Sequence, residues 1–95
     1  MTKDTEHDRL AEVGGRIRTA REARGLNLHE LARLSGISAS ALSLIETGKR
    51  DLRITSLCRI ADALRVAAGE LLDGREEKNR QQEARQGGYD LGDYT

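Results

Sequence analysis

The 95-residue sequence contains no proline, no phenylalanine and no tryptophan, and it has a single cysteine, Cys58. A core without large aromatic rings must be built from Leu, Ile, Val and Ala, which favours packed helices over a β-sandwich. One cysteine cannot form an internal disulfide, and this fits a reducing compartment. The length predicts one small domain with polar ends, which makes an enzyme with a substantial pocket improbable on size alone.

Long apolar runs and catalytic motifs are also missing. No stretch of 18 apolar residues is present and no basic-then-apolar N-terminus, so we expect neither a transmembrane helix nor a signal peptide. No nucleophile–base pair, carboxylate pair, phosphate loop or set of metal ligands can be assembled. We therefore expect a cytoplasmic protein with no catalytic activity, no cofactor and no metal.

The charges are unevenly distributed, although the formal net charge is zero. Residues 1–14 carry a net charge of −2, residues 15–66 carry +5 and residues 67–95 carry −3. Thirteen of the sixteen cationic residues are Arg, whose planar guanidinium binds carboxylates and phosphates through two hydrogen bonds. A basic middle with acidic ends predicts either a nucleic-acid-binding surface or a solvated helical surface with internal ion pairs.

Segments of helical periodicity alternate with glycines. Apolar residues at three- and four-residue steps predict helices over about 8–24, 28–35, 38–47 and 54–64, followed by a short last helix closed by Gly74. The predicted N-terminal caps are Thr5 or Asp8, then Asn27 with Glu30, then Ser38. Residues 75–86 have almost no apolar side chain, and a flexible end follows them. The predicted organisation is a polar end (1–8), a helical domain (9–74) and a polar extension with a tail (75–95).

Two features of these helices have alternative interpretations. Gly14 and Gly15 each weaken the first helix by about 1 kcal/mol, and they mark either a close approach of another backbone or a tolerated weakness. Cys58 falls on the apolar side of the fourth helix. We expect it to be a small buried side chain rather than a redox or metal site, because no companion ligand is evident.

Residues 28–47 have the spacing of a helix-turn-helix. Two short helices flank the turn Gly36-Ile37-Ser38, which is tight enough to force a steep crossing. Ala32 supplies the small side chain where the helices touch, and Ile37 fills the angle between them. In a helix-turn-helix the second helix projects its outer face into the major groove of DNA. From these residues alone, an ordinary helical corner is the alternative.

The segment from Gly15 to Leu72 resembles the Cro/C1-type helix-turn-helix family, also called the XRE or lambda-repressor-like family. The patterns RIRxxRxxxGL, ELAxxxGIS, IExGKR and IxxLxxIAxAL occur in the expected order, and the resemblance covers about 58 of the 95 residues. It implies an all-α, five-helix fold. It also implies a sequence-specific DNA-binding transcriptional regulator, expected to be a homodimeric repressor on a palindromic operator with half-sites ~34 Å apart.

The same resemblance implies which residues contact DNA. The helix beginning near Ser38 would be the recognition helix, with base contacts from Ala39, Ser40, Ser43 and Leu44. Backbone contacts would come from Arg21, Ser38, Thr47, Lys49, Arg50 and Arg53. For the cations after the recognition helix, a solvated loop is the alternative. Because Ser cannot make the bidentate contacts of Arg, Asn or Gln, we expect DNA shape or a dimer partner to supply more of the specificity.

The resemblance further implies structural and interface roles. Arg21 and Glu46 would form an ion pair joining the first helix to the recognition helix, with Arg18 or Arg24 as rival partners. The dimer interface would come from Val66, Leu71 and Leu72, unless these residues only complete the core. His29, near the expected DNA side, would either touch a phosphate or be solvated.

Several positions depart from the family pattern. Leu28 stands where Gln is frequent, and Leu52 stands where Pro commonly follows the GKR segment. Arg65 replaces the Gly that usually closes the fourth helix, and Ala67 replaces the Ser or Thr cap before the last helix. We therefore predict that the last helix is the least stable.

A second hypothesis keeps the fold without useful DNA affinity. The chain would be a protein-interaction adaptor or an antitoxin-type regulator, with its acidic tail (Tyr89 and Tyr94) binding a partner protein or competing with DNA for the basic face. A steep loss of DNA affinity with salt would distinguish a repressor from an adaptor. The sequence does not choose between a phage-type repressor, a restriction–modification controller and an antitoxin or plasmid regulator.

Overall fold

The computed structural model describes residues 2–74, and it contains five α-helices in that range. They are α1 (Thr2–Ala23), α2 (Leu28–Ser35), α3 (Ala39–Glu46), α4 (Ile54–Leu64) and α5 (Ala68–Asp73). The five-helix, all-α fold is thus confirmed. None of these helices is both long and apolar enough to cross a membrane. The predictions for residues 75–95, including the tyrosine-containing tail, lie outside the described residues.

The first helix begins earlier than predicted. It starts at Thr2, so the expected start near residue 8 is wrong and neither Thr5 nor Asp8 is its cap. Apolar periodicity marks only the part of a helix that packs, which here begins near Leu10. Residues 2–12 contain neither Gly nor Pro. Once the packed turns have formed, adding further turns to the helix is inexpensive.

The caps of α2 and α3 form as the sequence predicts. The Asn27 side chain accepts a hydrogen bond from the Glu30 N–H, and the Glu30 carboxylate accepts one from the Asn27 N–H, both at 2.8 Å. Gly36, at φ +76°, ends α2 in the left-handed conformation. The Ser38 hydroxyl accepts from the Ala41 N–H at 3.1 Å and begins α3. The three-residue turn between the two helices is therefore confirmed.

A single aliphatic core joins all five helices. Its buried members are Val13, Ile17, Leu31, Leu42, Ile45, Leu57, Ile60, Ala61, Leu64 and Leu71. Ala32 and Ile37, predicted at the helix crossing and in the turn, pack partly buried against this core. The core therefore holds the inner face of α3 and leaves its outer face free.

The backbone of α1 lies against the C-terminal end of α3. A Cβ atom at Gly14 would contact the Ile45 carbonyl and lie 2.7 Å from the Glu46 carbonyl oxygen, whereas nothing lies within 4 Å of one at Gly15. The approach is also close at Gly48, just after α3, where a Cβ atom would lie 2.8 Å from Ala11 Cα of α1. The close-approach interpretation thus holds for Gly14, and Gly15 is the tolerated weakness.

The inner face of α4 is rotated from the predicted one. Cys58 is exposed, so the expectation of a buried side chain is wrong, and Ile54 is 77% exposed. The buried residues of α4 are Leu57, Ile60, Ala61 and Leu64. Apolar residues recur at three- and four-residue steps along two flanks of this helix, and packing against α2 and α5 decides which flank is buried.

The junction of α4 and α5 lacks two stabilising features. Arg65 is the only non-glycine residue with positive φ in the described chain, at +59°. Ala67 begins α5 without a side-chain cap, although the Glu70 carboxylate accepts from its N–H at 3.4 Å.

At the C-terminal end of α5, the Arg16 guanidinium of α1 donates to the carbonyls of Leu71 (3.2 Å) and Leu72 (2.7 Å). α5 is therefore held at its C-terminal end by α1.

Candidate nucleic-acid interface

The outer face of α3 carries small polar and aliphatic groups. Ser40 and Ser43 are exposed, Leu44 is 41% exposed and Ala39 is half-buried. The two hydroxyls can each donate and accept a hydrogen bond, whereas Ala39 and Leu44 offer only methyl groups. The face can therefore touch base edges, with limited capacity for direct hydrogen-bond recognition.

Two hydroxyl side chains at the ends of α3 differ in what they can offer. The Ser38 hydroxyl accepts from the Ala41 N–H, which leaves its own hydrogen free to donate to a phosphate. The Thr47 hydroxyl donates to the carbonyls of Ser43 (3.0 Å) and Leu44 (3.2 Å). Its only hydrogen is thus used inside the protein, and Thr47 closes α3 rather than presenting a donor.

Three exposed cations follow α3 in the loop before α4. Arg50 and Arg53 line one cleft of about 220 Å³, which is also lined by Ala41 and Ile45 of α3. Lys49 lies at the end of α3, where its N–H donates to the Leu44 carbonyl at 2.9 Å. Within residues 2–74, none of these three side chains forms a hydrogen bond or an ion pair. They are therefore available to phosphates beside the outer face of α3.

The structure brings Arg21 and Glu46 together. Arg21 Nε donates to Glu46 Oε2 at 2.7 Å and Nη2 donates to Oε1 at 3.0 Å, which makes a bidentate pair. The two side chains are only 11% and 5% exposed. Arg21 Nη1 also donates to the Leu26 carbonyl at 2.8 Å, so one guanidinium joins α1, the α1–α2 loop and the end of α3.

This pairing has two consequences for Arg21. The hydrogen bonds to Glu46 raise the pKa of the guanidinium, against the opposing effect of burial, so Arg21 stays charged. Three of its five N–H donors are already engaged and its side chain is largely buried, so it orients α3 more than it offers hydrogen bonds to a phosphate. Arg18 instead pairs with Glu22 at 3.2 Å on the exposed surface of α1. Arg24 has no ion pair within the described chain.

The structure also shows the environment of other positions that the sequence singled out. Leu28 and Leu52, which replace Gln and Pro of the family pattern, pack partly buried against the core. His29 is exposed. The clamp from Arg16 to the end of α5 escaped prediction, because hydrogen bonds to distant carbonyls leave no trace in local periodicity.

The three residues predicted for a dimer interface differ in exposure. Leu71 is 2% exposed and belongs to the core, Val66 is partly buried against the core, and Leu72 is 47% exposed. A second chain could therefore reach the side chain of Leu72 and part of Val66, but it could not reach Leu71 without opening the domain.

The helix-turn-helix geometry agrees with the comparisons to known proteins. A helix-turn-helix family model, HTH_3, matches residues 17–71. The chain belongs to this helix-turn-helix family. The family assignment made from its motifs is therefore confirmed.

Known relatives include regulators of several kinds. The HTH-type transcriptional repressor RghR of Bacillus subtilis is 39% identical over 58 residues, which are 60% of this chain and 43% of RghR. The chain thus spans less than half the length of this relative. The restriction-modification controller protein C.AhdI from Aeromonas hydrophila is 35% identical with a TM-score of 0.64, covering 65% of this chain and 94% of C.AhdI. The clp gene regulator ClgR from C. glutamicum is 29% identical with a TM-score of 0.63, covering 65% and 80%.

Proposed function

We propose that this chain is a homodimeric repressor that binds a palindromic operator, with α3 in the major groove of each half-site. The observation that carries this proposal is the arrangement around α3. Its exposed outer face of Ser40, Ser43 and Leu44 adjoins Lys49, Arg50 and Arg53, none of which has a partner within residues 2–74. Small groups that fit base edges thus lie beside cations that fit phosphates.

Base recognition in this proposal is modest. Ser40 and Ser43 would each make a single hydrogen bond to a base edge, and Ala39 and Leu44 would contact thymine methyl groups. No side chain on this face can make the bidentate contact worth ~1–3 kcal/mol of discrimination. The shape and deformability of the operator would therefore supply much of the specificity.

Affinity in this proposal comes from the DNA backbone. Lys49, Arg50 and Arg53 would bind phosphates, and Ser38 would donate its free hydroxyl hydrogen at the start of α3. Arg21 and Thr47 act differently from the other predicted backbone contacts. Three of the five N–H donors of the largely buried Arg21, and the hydroxyl hydrogen of Thr47, already bind protein acceptors. They would hold α3 at the angle that lets its neighbours reach the phosphates.

Similarity to known regulators supports the repressor role, and the symmetry of a two-fold operator complex supports the dimer. A relative of this chain is a transcriptional repressor and another is a restriction-modification controller. One helical domain contacts only a few base pairs. Two copies related by a two-fold axis would double the contacted surface, and the operator would mirror that symmetry as an inverted repeat.

The test is selection of bound sequences from random double-stranded DNA by the purified full-length chain. We expect an enriched inverted repeat whose half-site centres lie ~34 Å apart. Replacing Ser40 and Ser43 by Ala should change the preferred bases at a few positions and leave the half-site spacing intact. Repression is then tested with a reporter gene that carries the selected sequence.

Two outcomes contradict the proposal. Enrichment of a single, unrepeated half-site would show that the dimer part of the proposal is wrong. Weak binding without any enriched sequence, together with a stable protein partner, would favour the adaptor hypothesis instead.

A further inference from the structure

The outer face of α3 lacks the side chains that read a base through two hydrogen bonds. The helix contains no Arg, Lys, Asn or Gln, and its one charged residue, Glu46, is buried in the pair with Arg21. What the helix exposes instead includes a leucine, Leu44, with a half-buried Ala39 at the start of the helix. The apolar group that the major groove offers to such side chains is the C5-methyl group of a pyrimidine.

We propose that α3 recognises C5-methylated pyrimidines as a class, whether the base is thymine or 5-methylcytosine, and that Leu44 is the main discriminating residue. This inference rests on the proposed function, which places α3 in the major groove. It names the chemical feature that the helix reads. It also implies that methylation of cytosine at a contacted position strengthens binding.

The serine hydroxyls leave the methyl group to decide between pyrimidines. Beside C5, thymine carries an O4 acceptor and cytosine carries an N4 amino donor. A hydroxyl both donates and accepts, and neither Ser40 nor Ser43 uses its hydroxyl in a hydrogen bond within residues 2–74. Each hydroxyl can therefore rotate to suit either base, and the methyl group is the remaining difference that this face detects.

Leu44 is held at a fixed place on this face. Its carbonyl accepts hydrogen bonds from the Thr47 hydroxyl (3.2 Å) and from the Lys49 N–H (2.9 Å). The exposed Thr47 thus has only its methyl group left to offer to DNA, and Lys49 begins the run of cations proposed to bind phosphates. Ala39 and Leu44 lie ~7.5 Å apart along the helix, at 1.5 Å per residue, so they meet different base pairs.

Pairs of duplexes that differ in one methyl group test this recognition with the native, full-length chain. Each thymine in one half-site of the sequence selected for the proposed function is replaced in turn by uracil. Cytosine and 5-methylcytosine, both paired with guanine, are then compared at the same positions. At contacted positions we expect the methylated member of each pair to bind about four-fold more tightly, the factor for burying one methyl-sized group. Fluorescence anisotropy at one salt concentration measures the affinities.

Substitution of Leu44 separates a direct contact from an effect of DNA shape, which also influences binding. Leu44→Ala should abolish the methyl difference at one position and leave it at the position that Ala39 contacts. The matched control is Leu34→Ala, which shortens another exposed leucine, on α2 and outside the α3 face, and should leave every difference unchanged. Circular dichroism checks that both variants are folded.

Failure of this inference is distinguishable from failure of the proposed function. A selected palindrome that contains no thymine in its half-sites, or that binds equally well with thymine and uracil, overturns methyl recognition and leaves the repressor proposal standing. So does a methyl difference that Leu44→Ala leaves unchanged at every position.

The converse outcome is also informative. Selection of an unrepeated half-site rejects the dimer, but a four-fold methyl difference on that half-site, abolished at one position by Leu44→Ala, supports methyl recognition. Selection that returns no sequence rejects both proposals, because the chain then reads no base.

Discussion

Arg21 is the residue that connects α1 to α3, the proposed recognition helix. Gly14, Ile17 and Arg21 follow each other at three- and four-residue steps, so they share the face of α1 that packs against α3. Arg18 lies off this face and pairs with Glu22 on the surface, which explains why only Arg21 reaches Glu46.

Removing Arg21 should therefore be costly. Arg21→Ala leaves the buried Glu46 carboxylate without its partner, and we expect the free energy of unfolding to fall by about 3 kcal/mol. Arg18→Ala, which breaks an exposed pair four residues apart, should change it by less than about 0.5 kcal/mol. Urea denaturation followed by circular dichroism measures both. Similar losses in the two variants would contradict the structural role of Arg21.

Gly14 and Gly15 are adjacent, yet we expect opposite effects from the same substitution. Gly15→Ala meets nothing within 4 Å and should raise the free energy of unfolding by about 1 kcal/mol through helix propensity. Gly14→Ala places a methyl group against the backbone at the end of α3 and should lower it by about 2 kcal/mol. Thermal unfolding of the two variants checks this. Stabilisation by both would mean that α1 and α3 are not in close contact.

At the scale of elements, α4 and α5 differ most from ordinary helix design. α4 ends on Arg65 in a left-handed conformation that favours glycine, and α5 begins on Ala67, which has no side-chain acceptor. The short α5 therefore depends on burial of Leu71 and on the hydrogen bonds from Arg16 to its last carbonyls.

Repairing these two positions should stabilise the domain. Arg65→Gly removes the cost of the left-handed conformation and should add about 1 kcal/mol to the free energy of unfolding. Ala67→Ser supplies the missing acceptor and should add a similar amount. Urea denaturation of the single and double variants measures the gains. If neither substitution stabilises the chain, the α4–α5 junction differs from the one described.

At the scale of the whole molecule, the proposed function depends on how charge is grouped around α3. Lys49, Arg50 and Arg53 follow α3 directly in the chain, and the fold brings Arg21, which is distant in sequence, to the end of the same helix. The net charge of zero conceals this grouping.

Replacing Lys49 and Arg50 together by Ala should weaken binding to all DNA sequences. Since each phosphate contact releases about one counterion, the slope of log affinity against log salt concentration should flatten by about 2. The matched control, Arg18→Ala with Arg59→Ala, removes the same charge from outer surfaces of α1 and α4 and should leave the slope unchanged. Fluorescence anisotropy with labelled duplex DNA measures the slope. An unchanged slope in the Lys49 and Arg50 variant would exclude these residues from phosphate contact.

Features that depend on neighbouring residues were determined by the sequence itself. The caps at Asn27 and Ser38 and the glycine that ends α2 involve groups within a few residues of one another. They can therefore be predicted without knowledge of the fold. The family motifs, which are ordered sets of such features, were sufficient to identify the architecture, and they predict that α3 is the recognition helix.

Features that depend on which faces meet were decided only by the tertiary structure. Periodicity could not tell which flank of α4 is buried, and it therefore placed Cys58 in the core and overlooked the exposed Ile54. Likewise, only packing separates Gly14 from Gly15 and joins Arg16 to the end of α5. The physical reason is that burial and long-range hydrogen bonds are properties of two surfaces in contact, whereas a sequence pattern describes only one of them.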